Sequence, residues 1–578
     1  MSETIIGIDL GTTNSEVAVA RGGKVEVLEI TPGSKLLPSM VGLDGDGALL
    51  VGAAAWNQYR AFPERTIRSI KRRMGSDLKV TLGERDYSAQ EISALILKRL
   101  KEVAEAHLGE AVHRAVITVP AYFSDSQRQA TREAGAIAGL DVARIINEPT
   151  AAALAYESTA SGPKQILVYD LGGGTFDVSV VRLENDVVEV LASHGNNYLG
   201  GDDFDQKIVD HVLDHLRGQG VDPTESTVAM SRILRAAEAA KIRLSDNPFT
   251  LLEEEYLLER AGAPVHLSLE LTRDDYEAMI QPFIDETLEA LQIALDGAGI
   301  PASGIDEILL VGGATRTPLI ARHLERELGL QPRSEVDPEL CVAAGAAIQA
   351  AVIAGGPAAS VLVDITPYTF GTSVLSEVNG EMYPYRYVPL IRRNTVIPTA
   401  KSELFCTFMD EQEQVEVMVY QGEDADALNN TEIGRFTIKG LSKVPAGNPI
   451  VMTFSLDLDG ILQVTAKEKT TGLAKSISID NAIARFEESE MEQARARIGE
   501  LYEGEPASGR ESARSREHTR ARALIEKAER LMEKAGDEDR EDLVDSIEAV
   551  SDAITTSNTE ALQAATDELA DLIFYLES

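Results

Sequence analysis

Two glycine-rich segments with matching residue types could bind the phosphate groups of a nucleotide. They read IIGIDLGTT over residues 5–13 and ILVYDLGGGT over residues 166–175. Glycine lets the backbone approach a phosphate closely, and its exposed N–H groups can donate to the phosphate oxygens. Each segment continues into a second strand pattern, at residues 16–20 and 177–181. The repeat therefore predicts two similar lobes that face a shared cleft.

Aspartate and threonine side chains accompany the glycines in both segments. Asp9 and Asp170 could hold a hard cation that neutralises the phosphates, directly or through water. Thr12, Thr13 and Thr175 would add hydroxyl donors. A single turn of this kind is about as often an ordinary β-turn, but two copies with matched Asp and Thr favour a phosphate site. Neither copy has the sequence of a Walker A loop or of a dinucleotide-binding turn.

A third glycine turn, VGGATR at residues 311–316, follows another apolar strand pattern. It could pack against a nucleoside, with Arg316 stacked on the base. A lone arginine in such a turn is more often a solvated surface charge, so only its combination with the two phosphate segments favours a binding role.

The composition limits the kinds of partner that the chain can have. Its 578 residues include 54 basic and 94 acidic side chains, which gives a formal net charge of −40. We therefore expect no nucleic acid and no membrane as partner, because Lys and Arg must neutralise the phosphates there. Two widely separated cysteines, Cys341 and Cys406, indicate reduced thiols in a cytoplasmic protein, and the N-terminal residues lack the basic region of a secretory signal.

Hydrophobic patterns divide the chain into regions. Strand patterns, as at 115–119, alternate with helix patterns, as at 89–107 and 231–244, which is typical of a multidomain chain that begins with an α/β fold. Period-two patterns follow, with a hairpin signal at the dipeptide 459–460, and helical patterns end the chain. The expected units are an α/β region (1–356), a linker (357–364), an antiparallel β-sandwich (365–484) and a helical region (485–578).

Further motifs carry a resemblance to a known family. Besides the phosphate segments, the chain contains ITVPAYF at residues 117–123, IINEPTAAA at 145–153 and DGIL at 459–462. With these motifs it resembles the seventy-kilodalton heat-shock chaperones, the DnaK family, in a compact bacterial form. The resemblance implies a duplicated, actin-like α/β ATPase, followed by a β-sandwich that binds peptides and by an α-helical lid.

The resemblance also implies roles in ATP hydrolysis for individual residues. The catalytic residues would be Lys71, Glu148, Asp170 and Thr175. The Mg²⁺ ligands would be Asp9, Asp170 and Asp177, and K⁺ could accompany the Mg²⁺. The other contacts of ATP or ADP would come from Gly11, Thr12, Thr13, Asn14, Gly172, Gly173, Gly174, Glu238, Lys241, Ser245, Gly312, Gly313, Arg316 and Glu339.

Several of these positions have plainer explanations or depart from the family. Glu238 and Lys241 could form a surface ion pair on one helix face, and a glutamate before proline, such as Glu148, often begins a helix. Ile242 differs from the arginine of some relatives, and Glu339 replaces the usual aspartate. These departures could alter nucleotide affinity.

In the β region, the resemblance implies an apolar pocket for a peptide side chain and an arch over the peptide backbone. The pocket residues would be Phe405, Val415, Val417 and Ile461, and the arch residues would be Leu375 and Phe408. Each could equally be a plain core residue of the sandwich. The segment 373–390 is longer than the family loop, its strand register is not predictable, and it could enlarge the substrate surface.

A short apolar linker, VLVD at residues 361–364, would dock on the ATPase in one nucleotide state and detach in the other. Pro120 and Arg128 match a family relay between nucleotide and linker. Arg144 and Asp364 match positions that the family uses for stimulation by J-domain proteins. The implied partners are unfolded or nascent polypeptides, a J-domain co-chaperone and a GrpE-like nucleotide-exchange factor.

The sequence leaves more than one function open. The main expectation is a general chaperone of the stress response with weak ATPase activity. A specialised member with few clients stays open, because Pro506 and Gly509 should break the lid helix and the segment 373–390 is unusual. A small-molecule kinase of the actin-like superfamily is less well supported, because it does not need the β region.

Overall fold

The two glycine-rich segments lie in two sheets of similar topology in a computed structural model of the chain. The chain divides into two compact units, residues 1–498 and 499–578. The structure describes residues 4–157, 162–260, 263–333, 337–356, 360–378, 380–478, 488–503 and single positions between 524 and 570. The expected lid residues Pro506 and Gly509, the linker residues 357–359 and the expected boundary at 484–485 lie outside the described residues.

The first lobe contains the segment that ends in Asp9. Its elements are β1 (Ile5–Asp9), β2 (Asn14–Arg21), β3 (Lys24–Val27), β4 (Leu37–Pro38), β5 (Val41–Leu43), β6 (Leu49–Val51), α1 (Ala53–Tyr59), β7 (Thr66–Ile67), β8 (Val80–Leu82), β9 (Arg85–Tyr87), α2 (Ala89–Leu108), β10 (Arg114–Val119), α3 (Asp125–Ile137), β11 (Asp141–Asn147) and α4 (Glu148–Glu157). The central sheet has the order β11-β10-β1-β2-β3. Capping boxes at Ser88 and Ser124 begin α2 and α3.

The second lobe contains the segment that includes Asp170. Its elements are β12 (Lys164–Leu171), β13 (Phe176–Glu184), β14 (Val187–Asn196), α5 (Gly201–Gly218), α6 (Thr227–Asp246), β15 (Phe249–Arg260), β16 (Ala263–Thr272), α7 (Arg273–Ala298), β17 (Glu307–Val311), α8 (Pro318–Leu328) and α9 (Cys341–Ile353). The order β17-β12-β13-β14 repeats β10-β1-β2-β3, since β17 and β10 are parallel to their neighbours and the other pairs are antiparallel. The predicted duplication is therefore confirmed.

Helices α4 and α9 pack against each other beside the two sheets. Gly345 of α9 lies so close to the Ala151 carbonyl of α4 that any side chain at this position would clash with it. Gly7 of β1 meets α9 in the same way at Ala347. Small residues thus allow α9 to pack tightly against both α4 and β1.

The β region forms two antiparallel sheets around one apolar core. Two strands of this part of the chain, β18 (Val361–Thr366) and β21 (Thr395–Ile397), extend the sheet of the second lobe. The strands of the two sheets are β19 (Phe370–Val378), β20 (Glu381–Ile391), β22 (Thr399–Cys406), β23 (Gln414–Gln421), β24 (Thr431–Lys439), β25 (Pro449–Leu456), β26 (Leu462–Glu468) and β27 (Ala474–Ser478), and α10 (Glu488–Glu503) follows. The sheets have the orders β20-β19-β23-β24 and β22-β25-β26-β27. Phe454, Leu462 and Val464 lie in the core between them.

The structure describes two features of the β region that the sequence did not define: the register of the segment 373–390 and the position of the linker strand. The segment 373–390 is a long hairpin of β19 and β20, in which Ser373 pairs with Tyr387 and Ser376 with Tyr383. The linker strand β18 lies between the two regions: it is parallel to β14 of the second lobe and antiparallel to β21 of the β region. Within the described part of the chain, every helix is too short or too polar to cross a membrane.

Candidate functional site

The two glycine turns face each other across the cleft between the lobes. A side chain at Gly173 would clash with the Thr13 hydroxyl, and one at Gly174 would lie 2.7 Å from Thr12 Cγ2. A cavity of about 310 Å³ opens between the turns. Glycine is needed here because each turn leaves no room for a side chain of the other.

Most of the sequence-predicted nucleotide residues line this cavity. They are Asp9, Gly11, Thr12, Thr13, Asn14, Lys71, Glu148, Asp170, Gly172, Gly173, Thr175, Glu238, Lys241, Gly312, Gly313, Arg316 and Glu339. Ser245 lines an adjoining cavity of about 340 Å³ instead, together with Ile242. Gly174 is packed against Thr12 and Arg72.

Lys71 and Glu148 form a buried ion pair at the floor of the cavity. Their Nζ and Oε1 atoms are 2.5 Å apart, and both side chains are buried. Burial raises the pKa of Glu148 to about 7, although Lys71 opposes the change. Burial alone would lower the pKa of Lys71, but the charges of Glu148 and Asp9 outweigh it and raise this pKa. The lysine therefore stays cationic beside acids that are costly to ionise.

Asp9 and Asp170 fit the chemistry of a bound magnesium ion. Both line the cavity, and the buried Oδ2 of Asp170 has no hydrogen-bond partner. Burial raises the pKa of each carboxyl, so a cation beside them would favour their ionised forms. Three or more potential ligands do not converge on one point among the described residues. Mg²⁺ commonly takes one or two carboxylates and completes its shell with phosphate oxygens and water, which matches this pair.

Asp177 lies off the cavity wall, unlike the expected arrangement of three aspartates around one cation. Its Oδ2 and Oδ1 accept hydrogen bonds from the backbone N–H groups of Ala121 (3.0 Å) and Tyr122 (3.1 Å). The register of β12 and β13 places it opposite Asp170, on a neighbouring strand. Both oxygens are therefore used by the loop that follows β10.

Two buried acids at the site were missed by sequence reasoning. Glu16 is 3% exposed, lines the cavity and shares a side-chain hydrogen bond with Asp9, its partner across β1 and β2. Asp205 of α5 pairs with Lys241, with 2.8 Å between Oδ2 and Nζ. Burial raises the pKa of Glu16 well above its ordinary value and that of Asp205 to about 6. An acid inside an apolar strand pattern was the available signal for Glu16.

Arg316 is held where the cavity meets the adjoining one, and it lines both. Its Nη2 lies 3.3 Å from both Asp337 Oδ1 and Glu339 Oε2. Ile242 projects from α6 nearby and is 61% exposed. The glutamate that replaces the usual aspartate thus reaches the arginine, and an exposed apolar side chain is available to stack against a base.

Polar contacts join the two lobes at the mouth of the cleft. Asp202 of α5 accepts hydrogen bonds from Ser69 Oγ (2.6 Å) and Arg68 Nη2 (3.1 Å). Arg60 Nη2 lies 2.8 Å from Glu254 Oε2 of β15. The sequence showed no periodic signal for these pairs, which hold the lobes together beside the cavity.

The predicted peptide residues separate into two groups. Phe405 and Val415 pack against the core, in which Val417 is buried, and the arch residues Leu375 and Phe408 are 40% and 62% exposed.

Ile461 is not brought to this group. Phe405 pairs with Ile450 at the start of β25, whereas Ile461 follows the far end of that strand, roughly 20 Å away at strand spacing. Its backbone N–H donates to Asp457 Oδ1 at 2.9 Å. The hairpin turn at 457–461, rather than the sandwich pocket, thus sets its position, and the expectation of a shared pocket is corrected for this residue.

The predicted relay residues meet where β18 docks on the first lobe. Asp364 accepts hydrogen bonds from Asn147 Nδ2 (3.0 Å) and Thr150 Oγ1 (3.3 Å). Arg128 donates to Asn147 Oδ1 at 2.7 Å and to the carbonyl of Asp459 at 3.4 Å. Burial lowers the pKa of Arg144, on β11, and the charge of the nearby Asp364 opposes this change.

Other contacts complete this surface between the first lobe and the β region. Pro120 is buried directly after β10. The Leu462 N–H donates to Asp125 Oδ1 (2.7 Å), the Ile145 N–H donates to Asp459 Oδ1 (2.9 Å), and Arg132 forms an ion pair with the same aspartate. The β region is thus held to the first lobe by buried hydrogen bonds as well as by β18.

A comparison with known families agrees with this arrangement. A model of the family described as Hsp70 protein matches residues 5–82 and 76–577. The matches cover nearly the whole chain and include both glycine turns, the linker strand and the β region. The chain therefore belongs to the Hsp70 family.

Proposed function

We propose that this chain uses ATP hydrolysis in the interlobe cavity to control peptide binding in the β region, with β18 as the link. Hsp70 proteins are ATPases and chaperones that bind unfolded polypeptides, and the chain shares this function. The observation that carries the proposed coupling is the pairing of β18 with β14 on one side and with β21 on the other. A movement of either neighbour must therefore be accommodated by the same strand.

In the proposed catalytic arrangement, Asp9 and Asp170 would hold Mg²⁺, which would neutralise the phosphates, and K⁺ could bind beside it. The Lys71 ammonium stabilises charge at the transferred phosphoryl group, and Glu148 orients or deprotonates the attacking water. Thr12, Thr13 and Thr175 donate hydroxyl groups to the phosphates. The wall position of these residues and the buried, unpartnered Asp170 oxygen support these roles.

Glu238, Lys241 and Ser245 would contact the nucleoside, with Ile242 and Arg316 beside the base. Glu238 and Lys241 line the phosphate cavity, and Ser245 lines the cavity that adjoins it. Their positions along one helix, α6, support a continuous path from phosphate to base.

For the β region we propose a pocket of Phe405, Val415 and Val417 under the exposed arch of Leu375 and Phe408. An extended peptide would bind there through backbone hydrogen bonds and one apolar side chain. The proposed domain limits are 1–356 for the ATPase, 357–364 for the linker, 365–484 for the peptide-binding β-sandwich and 485–578 for the helical lid.

We further propose a J-domain co-chaperone that acts at Arg144 and Asp364 and a GrpE-like exchange factor that opens the cleft. A cytoplasmic location is supported by Cys341 and Cys406, which are both free thiols.

A specialised role with few clients is the second candidate. The β19–β20 hairpin favours it, because it continues beyond the arch residue Leu375 and exposes Met382 (53%) near its end. A peptide-array screen separates the two roles: broad binding of apolar peptides supports the general chaperone, and binding confined to a few sequences supports the specialised one.

The proposed coupling is tested by measuring ATP turnover of the full chain with and without an unfolded apolar peptide. We expect the peptide to stimulate turnover, because occupation of the β region should shift the equilibrium of the linked ATPase. Unchanged turnover, in a preparation that hydrolyses ATP and binds the peptide, would contradict the coupling.

A further inference from the structure

Tyr368 connects the β region directly to a loop of the first lobe. It lies between β18 and β19, and its hydroxyl donates a hydrogen bond to the carbonyl of Tyr122. The two rings are 4.7 Å apart at an angle of 47°. Burial raises the pKa of the Tyr368 hydroxyl well above its ordinary value, so the group remains a donor.

The Tyr122 backbone is held at both of its peptide groups. Its carbonyl also accepts a hydrogen bond from Asn197 Nδ2 of the second lobe at 2.7 Å. Its N–H donates to Asp177 Oδ1 at 3.1 Å, and the preceding N–H, of Ala121, donates to Asp177 Oδ2 at 3.0 Å. The loop after β10 therefore contacts the β region through the Tyr122 carbonyl, and it contacts Asp177 through the N–H groups of Ala121 and Tyr122.

This loop keeps Asp177 away from the cavity. Asp177 lies opposite Asp170 in the β12–β13 register, yet both of its oxygens are occupied by the loop and it does not line the cavity wall. The two N–H groups belong to the peptide groups before and after Ala121, so a shift of the loop backbone as a whole would draw both away from the carboxylate. Burial would then make its unpaired charge costly. Asp177 would then turn toward the cavity, where a cation or a water molecule can satisfy it.

The Tyr368 hydroxyl can be removed without undocking the β region. Docking is also maintained by the ion pair of Arg132 with Asp459 and by the hydrogen bond from the Leu462 N–H to Asp125. The pairing of β18 with β14 adds a second attachment. A Tyr368→Phe variant therefore removes only the hydrogen bonds of this hydroxyl, to the Tyr122 carbonyl and with the Asn197 side chain, while these docking contacts remain.

We propose that Tyr368 is a positioning residue: its hydroxyl fixes the Tyr122 carbonyl while the β region is docked, which holds Asp177 off the cavity and restrains ATP hydrolysis. Departure of the β region removes this donor, leaves the carbonyl to Asn197 and so loosens the loop. The inference rests on the proposed coupling, and it adds a residue from the β region to the control of the ATPase site.

The test compares two tyrosine-to-phenylalanine variants of the full chain. Tyr368→Phe removes the donor to Tyr122. Tyr387→Phe is the matched control, because that buried hydroxyl donates to the carbonyl of Thr369 within the β region, at 3.2 Å. Single-turnover ATP hydrolysis is measured with and without a saturating apolar peptide, and the peptide Kd is measured for each protein.

We expect Tyr368→Phe to raise the basal rate roughly threefold to tenfold, the effect of losing one restraining hydrogen bond. The peptide-stimulated rate and the peptide Kd should stay as in the wild type, so the degree of stimulation falls by the same factor. A purely structural role would instead lower both rates together. The Tyr387→Phe control should behave as the wild type.

An unchanged or lower basal rate in Tyr368→Phe, or an equal rise in Tyr387→Phe, would overturn the proposal. Failure of the coupling itself would look different, since the wild type would then show no stimulation by the peptide. A raised basal rate in Tyr368→Phe would still support the restraint in that case.

Discussion

At the scale of residues, the acidic side chains around Lys71 outnumber it, so the cavity favours the binding of an additional cation. Glu16, Glu148 and Asp170 are buried around Lys71 and Asp9 is half-buried beside it, and loss of solvent raises the pKa of each of the four carboxyls. Ionising them without further positive charge would cost free energy in this low-dielectric setting. Binding of a nucleotide together with its cation would therefore change the charge state of the floor of the cavity.

Thr175 gives the most direct residue-level prediction. It lines the cavity on the second glycine turn, and its proposed contact with the phosphates should matter more for the transition state than for binding. We expect Thr175→Ala to lower the single-turnover rate of hydrolysis by about 100-fold or more, with ADP affinity changed by less than about threefold.

The matched control for Thr175→Ala is Thr131→Ala, which removes a buried hydroxyl that bonds within α3, to the Gln127 carbonyl at 2.9 Å. Its turnover should equal that of the wild type. Normal turnover in Thr175→Ala, or an equal loss of binding and hydrolysis, would refute the assigned role.

Residues in long motifs were predictable because glycine and buried acid at fixed spacing have few other uses. The two turns were found in this way, whereas Lys71 and Glu148 were assigned only by the family resemblance. Glu16 and Asp205 were not, since their importance comes from partners on other elements, Asp9 and Lys241. Asp177 was expected at the cavity, but its position is set by a loop about 55 residues earlier in the chain.

At the scale of elements, helix and strand patterns located most of the α/β region. The helix predicted at 231–244 is longer at its start, Thr227, because the Ser226 hydroxyl caps the Ala229 N–H at 3.2 Å. The β19–β20 register was not predictable, because two bulges interrupt its pairing and a one-residue shift would exchange the faces of the strand.

The turn after β26 provides an element-level prediction about pH. The buried carboxylate of Glu468 accepts hydrogen bonds from Thr471 Oγ1, Asn448 Nδ2 (2.5 Å) and the Ser442 N–H (2.9 Å). The Thr471 bond, followed by the others, lowers the pKa of Glu468 to about 2. This pKa lies below the ordinary glutamate value, so the bonds stabilise the fold above about pH 4.5 and the gain is lost as the pH falls toward 2.

We expect Glu468→Gln to destabilise this turn near neutral pH by about 1.5–3 kcal/mol, and to weaken the dependence on acid pH that the wild type shows. Hydrogen exchange of the amides of residues 442–473, corrected for intrinsic exchange, measures both effects. Glu416→Gln, at an exposed carboxylate on the other sheet, is the control. Equal loss of protection on acidification in wild type and Glu468→Gln would contradict the prediction.

At the scale of the whole molecule, the duplication was visible in the sequence but the docking was not. The same local motif, a strand followed by a glycine turn and a second strand, occurs twice in the sequence, and the repeated strand orders follow from this duplication. Docking depends on single hydrogen bonds between residues more than 300 positions apart, such as Asp125 with Leu462 and Ile145 with Asp459. Single contacts of this kind produce no hydrophobic periodicity in the sequence. Docking of the β region could therefore be expected only from the family resemblance.

At the same scale, we propose that the interlobe cavity and the β region are energetically linked. The most direct measurement is the release rate of a bound fluorescent apolar peptide from the full chain after addition of Mg²⁺ with ATP or with ADP. We predict release that is between about 5-fold and 150-fold faster with ATP, the range expected for coupled binding sites. Equal release rates with the two nucleotides, in protein shown to bind both, would contradict the link.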